Sequence, residues 1–244
     1  MTKTTTENPR IGSRAEWLAA RTELLAKEKA LTRQGEEIAA QRRRLPWVRV
    51  DKPYVFDGPT GPVSLSELFG GNSQLVVYHF MFAPSWQAGC KSCSLAADHL
   101  DRSAVHLVHH DVAVVAVSRA PHAVIAPFQR RMGWTFPWVS SHGTDFNYDF
   151  RVSITKAEIA SGRVAYNYKE HPADAPYVSE EMPGLTVFTK DSAGEVFHTY
   201  SSYARGAEEM LGVYTYLDVV PGGRNEQYPM DWVRYHDAYD AAKR

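Results

Sequence analysis

Cysteine is the scarcest of the reactive residues in this chain: Cys90 and Cys93 are the only two among 244. That scarcity excludes a disulfide-stapled scaffold, which needs several bridges to stand in for a hydrophobic core. Charge of one sign is lacking too. The 27 Lys and Arg residues nearly cancel the 28 Asp and Glu residues, leaving −1, so there is no basic footprint for nucleic acid. No apolar run approaches the length of a membrane span, and the opening segment MTKTTTENPR has no apolar core of a secretion signal. These absences predict a cytoplasmic protein that engages neither nucleic acid nor membrane. In that setting a close cysteine pair is more readily catalytic than structural. Hydrophobic residues are plentiful at 44%, against 23% charged, the ordinary balance of a soluble domain.

The two cysteines sit in the most informative stretch, LVVYHFMFAPSWQAGCKSCSLAADHL, from Leu75 to Leu100. Leu75 to Phe82 is a run of apolar, β-branched and aromatic residues, long enough for one buried strand. A loop with Pro84, Trp86 and Gly89 follows, and Cys90-Lys91-Ser92-Cys93 then opens onto the helix-forming Leu95, Ala96 and Ala97. The first turn of a helix has unpartnered amides whose dipoles favour negative charge. A thiolate at Cys90 is stabilised there, and Lys91 adds a nearby cation. Cys93 lies one turn on along the same face, placed to attack a mixed disulfide at Cys90. Cys90 is thus the candidate nucleophile and Cys93 the resolving thiol. Two other readings compete: a pair of inert buried cysteines, and half of a zinc site. Ten histidines accompany the pair, among them His99, His106, His109 and His110. A structural zinc site closes on four ligands, however, and the strand-to-helix junction favours redox chemistry over metal. No metal and no resident cofactor are expected.

Around this stretch the chain reads in order. Residues 1–13 are polar and predicted disordered. Arg14 to about Arg44 is rich in helix formers, with Trp17, Leu24, Leu31, Ile38 and Leu45 every seven residues, flanked by Leu18 and Leu25. That stripe suits packing on a second copy of the chain, as a homodimer, or on the chain's own domain. Gly35 is a candidate break in the helix. Tyr54–Phe56 and Val63–Leu65 flank a Gly-Pro turn and read as a hairpin. Val112–Val117 is a second buried strand, parallel to the first through a right-handed crossover. Residues 121–132 have helical spacing and stop at Gly133. Trp134–Val139 is extended, and its Pro137 predicts an edge position. Residues 140–181 are an aromatic-rich insertion, read as packing on the core or as a substrate-facing lid; in it Asp145 and Asp149 are speculative acid–base residues. Leu185–Phe188 and Val196–Tyr200 form a hairpin around Gly194. Helices are predicted over 207–219 and 230–243. The domain boundaries are 1–45 for the disordered tail and helical arm, and 46–244 for the main domain.

This order of strand, C-x-x-C helix, strand, helix, hairpin and final helix is similar to that of thioredoxins. The chain more closely resembles the thioredoxin-like family called domain of unknown function 899, whose members are expected to be dithiol–disulfide oxidoreductases. The resemblance runs from RRRLPW at Arg42 onward. It is carried by YVFDGP (54–59), GCKSCS (89–94), VSRAP (117–121), GWTFPWVSS (133–141), DFNYDF (145–150), GEVFHTYSSYARG (194–206) and YTYLD (214–218). It implies an α/β thioredoxin-like fold, a central mixed sheet flanked by helices, with a long N-terminal helical extension. It also implies that Pro183 forms a cis peptide after Met182 beside the cysteines, so that Met182, Pro183 and Trp86 shape the substrate groove. Lys91-Ser92 replaces the Gly-Pro that ordinary thioredoxins carry between their cysteines, which leaves the reduction potential open.

The leading functional reading is thiol–disulfide exchange on a protein or small-molecule disulfide, with an external thiol or reductase as donor. Peroxide reduction is the second; the peroxiredoxin-like β entry favours it, although Gln87 stands where that family's motif has Thr. The third is a non-catalytic interaction module using the N-terminal helix and the insertion. Arg205 is a further candidate for the cleft.

Overall fold

A computed structural model of the chain describes residues 10–239. Most of the predicted disordered tail, and the last residues of the helix predicted over 230–243, lie outside them. The chain forms two compact units. One comprises the described residues up to Pro46 together with Tyr216–Asn225; the other comprises Trp47–Thr215 and the described residues from Glu226 onward.

In the first unit α1 runs unbroken over Arg14–Arg42. Ser13 starts it with a capping box: its hydroxyl accepts the Glu16 amide, and the Glu16 carboxylate accepts the Ser13 amide. Gly35 does not split the helix. The roughly 1 kcal/mol it costs is spread over 29 residues that otherwise favour helix. No residue of α1 is buried, and the stripe from Trp17 to Ile38 is exposed.

The second unit is built on an eight-stranded mixed sheet. In chain order its strands are β1 (Val48–Arg49), β2 (Val55–Gly58), β3 (Gly61–Ser64), β4 (Gln74–His79), β5 (Val112–Ser118), β6 (Trp138–Ser140), then β9 (Gly184–Lys190) and β10 (Val196–Tyr203). A separate hairpin pairs β7 (Arg163–Tyr166) with β8 (Lys169–Pro172). The spatial order is β1-β10-β9-β4-β5-β6-β2-β3. At its centre β4 pairs parallel with β5 and antiparallel with β9. The crossover from β4 to β5 is α2 (Lys91–Val108), and α3 (His122–Met132) follows β5. Gly133 ends α3 in the left-handed conformation, φ 66°, where a side chain would be strained. This is the thioredoxin-like arrangement that the sequence order implies.

Alternation along β4 divides the core. Leu75 and Val77 face one cluster with Phe56, Phe69, Val115 and Phe188. Tyr78 and Phe80 face the other, with Cys93, Ala97, Ile125, Phe128 and Trp138, beneath α2 and α3. The DFNYDF segment is mostly the short helix α4 (Phe146–Asp149), and Phe146 is fully buried in the first cluster, so this part of the insertion packs on the core. Asp145 and Asp149 both accept from Lys52 at 2.7 Å, and Asp149 also accepts from the Tyr54 hydroxyl at 2.6 Å. They tie the β entry to the insertion.

Three local expectations need correction. Pro137 does not mark an edge: β6 lies between β5 and β2. The proline stands one residue before the strand, and only its carbonyl enters the ladder, accepting from the Ala116 amide at 2.9 Å, so its missing N–H is never needed. The helix predicted over 207–219 is a 3-10 turn, Ala204–Met210, followed by α5 (Gly212–Val219). Within the described part of 230–243 only His236–Ala238 is helical, as one 3-10 turn.

Candidate active site at the start of helix α2

Cys90 is the N-cap of α2, and its own amide donates to the Met81 carbonyl at 3.0 Å, fixing the turn out of β4. Gly89 is needed just before it. A Cβ there would lie 2.5 Å from Phe80 and 2.9 Å from Phe128, so the chain passes directly over the second cluster. Cys90 is half-buried and Cys93 buried; both are free thiols, and they lie 3.9 Å apart. The Cys93 thiol donates to the Cys90 sulfur, and the Cys93 and Ser92 amides and the Ser92 hydroxyl add to it. Together they outweigh burial and bring Cys90 down to about 6. Cys93 moves the opposite way, pushed well up by burial and by the negative charge of Cys90. The Tyr78 hydroxyl bonds to the Cys93 sulfur, and the Met81 amide donates to it at 3.5 Å. One thiol is thereby favoured as the anion and the other keeps its proton.

Residues 6–239 match the family described as bacterial protein of unknown function (DUF899). The chain belongs to this family. No curated protein matches it in sequence. Similar solved structures include a bacterioferritin comigratory protein of Xanthomonas campestris, studied for alkyl peroxide reduction, at 12% identity and TM-score 0.45 over 70% of this chain and 94% of that one. Another is the peroxidoxin BcpB of Mycobacterium tuberculosis, at 18% identity and TM-score 0.39 over 69% of this chain and 94% of that one. A secreted disulfide oxidoreductase of the same organism matches at 15% and 0.36, over 66% and 92%.

The DUF899 segments converge unevenly on the cysteines. Trp86 is half-buried on the rim of the Cys93 cluster, and its indole N–H donates to Glu180 at 3.1 Å. Met182 is buried in a third cluster with Val152, Ile154, Val164, Tyr166 and Tyr203. Pro183 is half-buried, and its carbonyl accepts from the Tyr166 hydroxyl at 2.6 Å. The cis bond that the resemblance implied at Met182–Pro183 is not formed: every peptide bond of the described residues is trans. The Met182 amide donates to the Val152 carbonyl at 2.8 Å and Gly184 opens β9, so the chain runs extended through Pro183. No tight turn is present there to offset the usual preference for trans. Arg205 is 70% exposed and pairs with Glu208 at 2.8 Å.

The zinc reading has a sharper form than the cysteine pair alone suggests. Cys90-x2-Cys93-x12-His106-x3-His110 has the spacing of a zinc finger. A finger breaks the chain between its ligand pairs, whereas α2 is continuous from Lys91 to Val108. It holds Cys93 and His106 about 20 Å apart along its axis. Among the described residues no group of three or more His, Cys, Asp or Glu side chains is placed to hold a metal. No helix among them is long and apolar enough to cross a membrane.

Several site residues escaped sequence reasoning. Tyr78 reads as one more apolar strand residue, and only the alternation of β4 would hint that it faces α2. It also lines an apolar cavity of about 350 Å³ with Val76, Ala96, Leu100, Leu185 and Met210. Arg119 follows β5 directly, an odd place for a charge. Its guanidinium pairs with buried Glu181 and bonds to the Tyr148 hydroxyl, and Ser153 donates to Glu181 at 2.8 Å. Neighbouring Glu180 holds Trp86, so this network anchors the loop that leads to Cys90.

Proposed function

We propose that this protein is a thiol–disulfide oxidoreductase acting through Cys90 and Cys93. The observation that carries the reading is the opposed preparation of two free thiols 3.9 Å apart at one helix start, Cys90 held low and Cys93 held high. The Cys90 thiolate attacks a substrate disulfide, forming a Cys90–substrate bond and expelling one substrate thiolate. The Cys93 thiol then gives up its proton and attacks the Cys90 sulfur. A Cys90–Cys93 disulfide forms as the second substrate thiolate leaves. Two electrons pass to the substrate, and an external dithiol or reductase restores the pair. Protein and small disulfides are both substrates of this chemistry.

The test is trapping. With Cys93→Ser, a disulfide substrate should leave a mixed disulfide on Cys90 that intact-mass measurement detects, while Cys90→Ser should form none and turn nothing over. If Cys93→Ser collects no mixed disulfide but acquires a sulfenic acid on Cys90 with peroxide, the chemistry is peroxide reduction instead.

A further inference from the structure

The segment from Glu226 to Tyr239 belongs to the same compact unit as the cysteines. Its base is fixed by the Glu226 carboxylate, which accepts from the Tyr214 hydroxyl at 3.1 Å, the Trp232 indole at 3.1 Å and the Met230 amide at 2.9 Å. Val233 is buried. The next residues then fasten to the elements that frame Cys90. The Tyr235 hydroxyl donates to the Gly89 carbonyl at 2.6 Å, and its ring meets Phe128 edge-on at 5.6 Å under the Arg131 guanidinium. His236 bonds to Asp98 of α2 at 2.7 Å, on the same carboxylate oxygen that accepts from Trp134. Asp237 accepts two bonds from Arg131 of α3, at 2.8 and 3.0 Å.

Three consecutive residues thus bind the turn before the nucleophile, the helix it begins and the helix beside it. Tyr235 and Cys90 pack on the rim of the same cluster, and the Tyr235 phenol is raised by burial and by the charge at Cys90. We propose that this strap is a specificity determinant: clamped, it admits small disulfides to Cys90 and holds off disulfides within folded proteins. The substrate half of this inference rests on the exchange reading above. A small disulfide carries little bulk beyond its two sulfurs. A protein disulfide brings backbone on both sides of the bond, and Tyr235, fastened to the carbonyl of the residue before Cys90, narrows the room for it. Both outer clamps are partly exposed, so each is weak and the strap opens without unfolding the domain.

The experiment compares the full chain with the double variant His236→Ala/Asp237→Asn. Cys90 alkylation is followed by mass with iodoacetamide and with a polymer-tethered maleimide. Turnover is followed with hydroxyethyl disulfide and with insulin. Loosening two exposed clamps should raise the polymer reagent's rate and insulin turnover about tenfold, leaving iodoacetamide within about twofold, as a shift in the open population requires. Asp237→Asn alone, a surface change, should move the same way by less. Equal factors for both reagents, or no change in either, overturn the strap. Size-dependent alkylation without turnover of either disulfide would instead overturn the exchange reading and leave the shielding intact.

Discussion

Tyr78 and His79 are neighbours on β4, yet alternation sends them to opposite faces of the sheet and into two differently built polar sites. Tyr78 faces the cysteines. His79 is buried among Phe146 and Phe150 on the other side, with Nε2 on the Thr186 hydroxyl at 2.8 Å. Thr186 continues to Ser201 at 3.1 Å, and Ser201 to His198 at 2.8 Å. Both sites hold strongly shifted groups. Burial pushes His79 down to about 3, and the Cys93 hydrogen bond brings Cys90 down to about 6. A shifted pKa alone therefore does not mark an active centre. What separates the two is access and charge: Cys90 is a thiol stabilised in its charged form at a half-buried position, whereas His79 is sealed and held neutral.

The largest effect expected from this contrast is on stability in acid. The unfolded chain protonates His79 below about pH 6.5, while the folded protein resists until about 3, so folding weakens as pH falls through that window. Between pH 6.5 and 4.5 this one group removes about 2.3 kcal/mol, the slope growing from half a proton per pH unit to nearly one. His198, also lowered by burial, acts in the same direction. Urea unfolding at a series of pH values should show this slope, and His79→Gln should flatten it by close to one proton. An unchanged slope would mean that the sealed site is open to protons after all.

On the other face, Gly89→Ala should destabilise the fold by about 1–3 kcal/mol, because the new Cβ overlaps Phe80 and Phe128 and nothing beside it is free to retreat. Thermal unfolding measures this, and the same variant should slow alkylation of Cys90 by tilting the turn that presents it. Next in size is the reactivity of Cys90 itself. At pH 6 about half of it is thiolate, against about 0.3% for an ordinary thiol near 8.5, although a weaker base is also a weaker nucleophile. The two effects leave iodoacetamide alkylation about tenfold faster than a free thiol at that pH. The rate should rise with pH to a plateau whose midpoint is near 6; a midpoint near 8.5 would remove the distinction between the two faces.

The parts of this design that were legible in the sequence are local ones. The β4–α2–β5 crossover follows from two apolar runs and the residues between them, and the Cys90–Cys93 pair announces itself by spacing. The α3 stop at Gly133 follows from one residue type. What sequence reasoning missed depends on partners far apart in the chain. Tyr235 meets Gly89 across 146 positions, and Arg119 meets Glu181 across 62, so neither pair leaves a periodic trace. The finger-like spacing from Cys90 to His110 and the edge inferred from Pro137 show the converse. A local pattern takes its meaning from the element that contains it: a continuous helix separates the would-be ligands, and a proline one residue before a strand does not disturb the ladder.

The smallest effect tests the division of labour most directly. Tyr78→Phe removes the hydroxyl bonded to the Cys93 sulfur but keeps the ring that fills the cluster. That bond favours the charged form of Cys93, so its loss raises Cys93 further and leaves Cys90 nearly as it was. The first step of the proposed exchange, measured as thiolate release from a substrate in excess, should be unchanged. The second step, release of the mixed disulfide by Cys93, should slow about fivefold, the kinetic equivalent of one hydrogen bond of about 1 kcal/mol. Slowing of both steps alike would show that Tyr78 acts on the packing of the whole helix start and not on Cys93 alone.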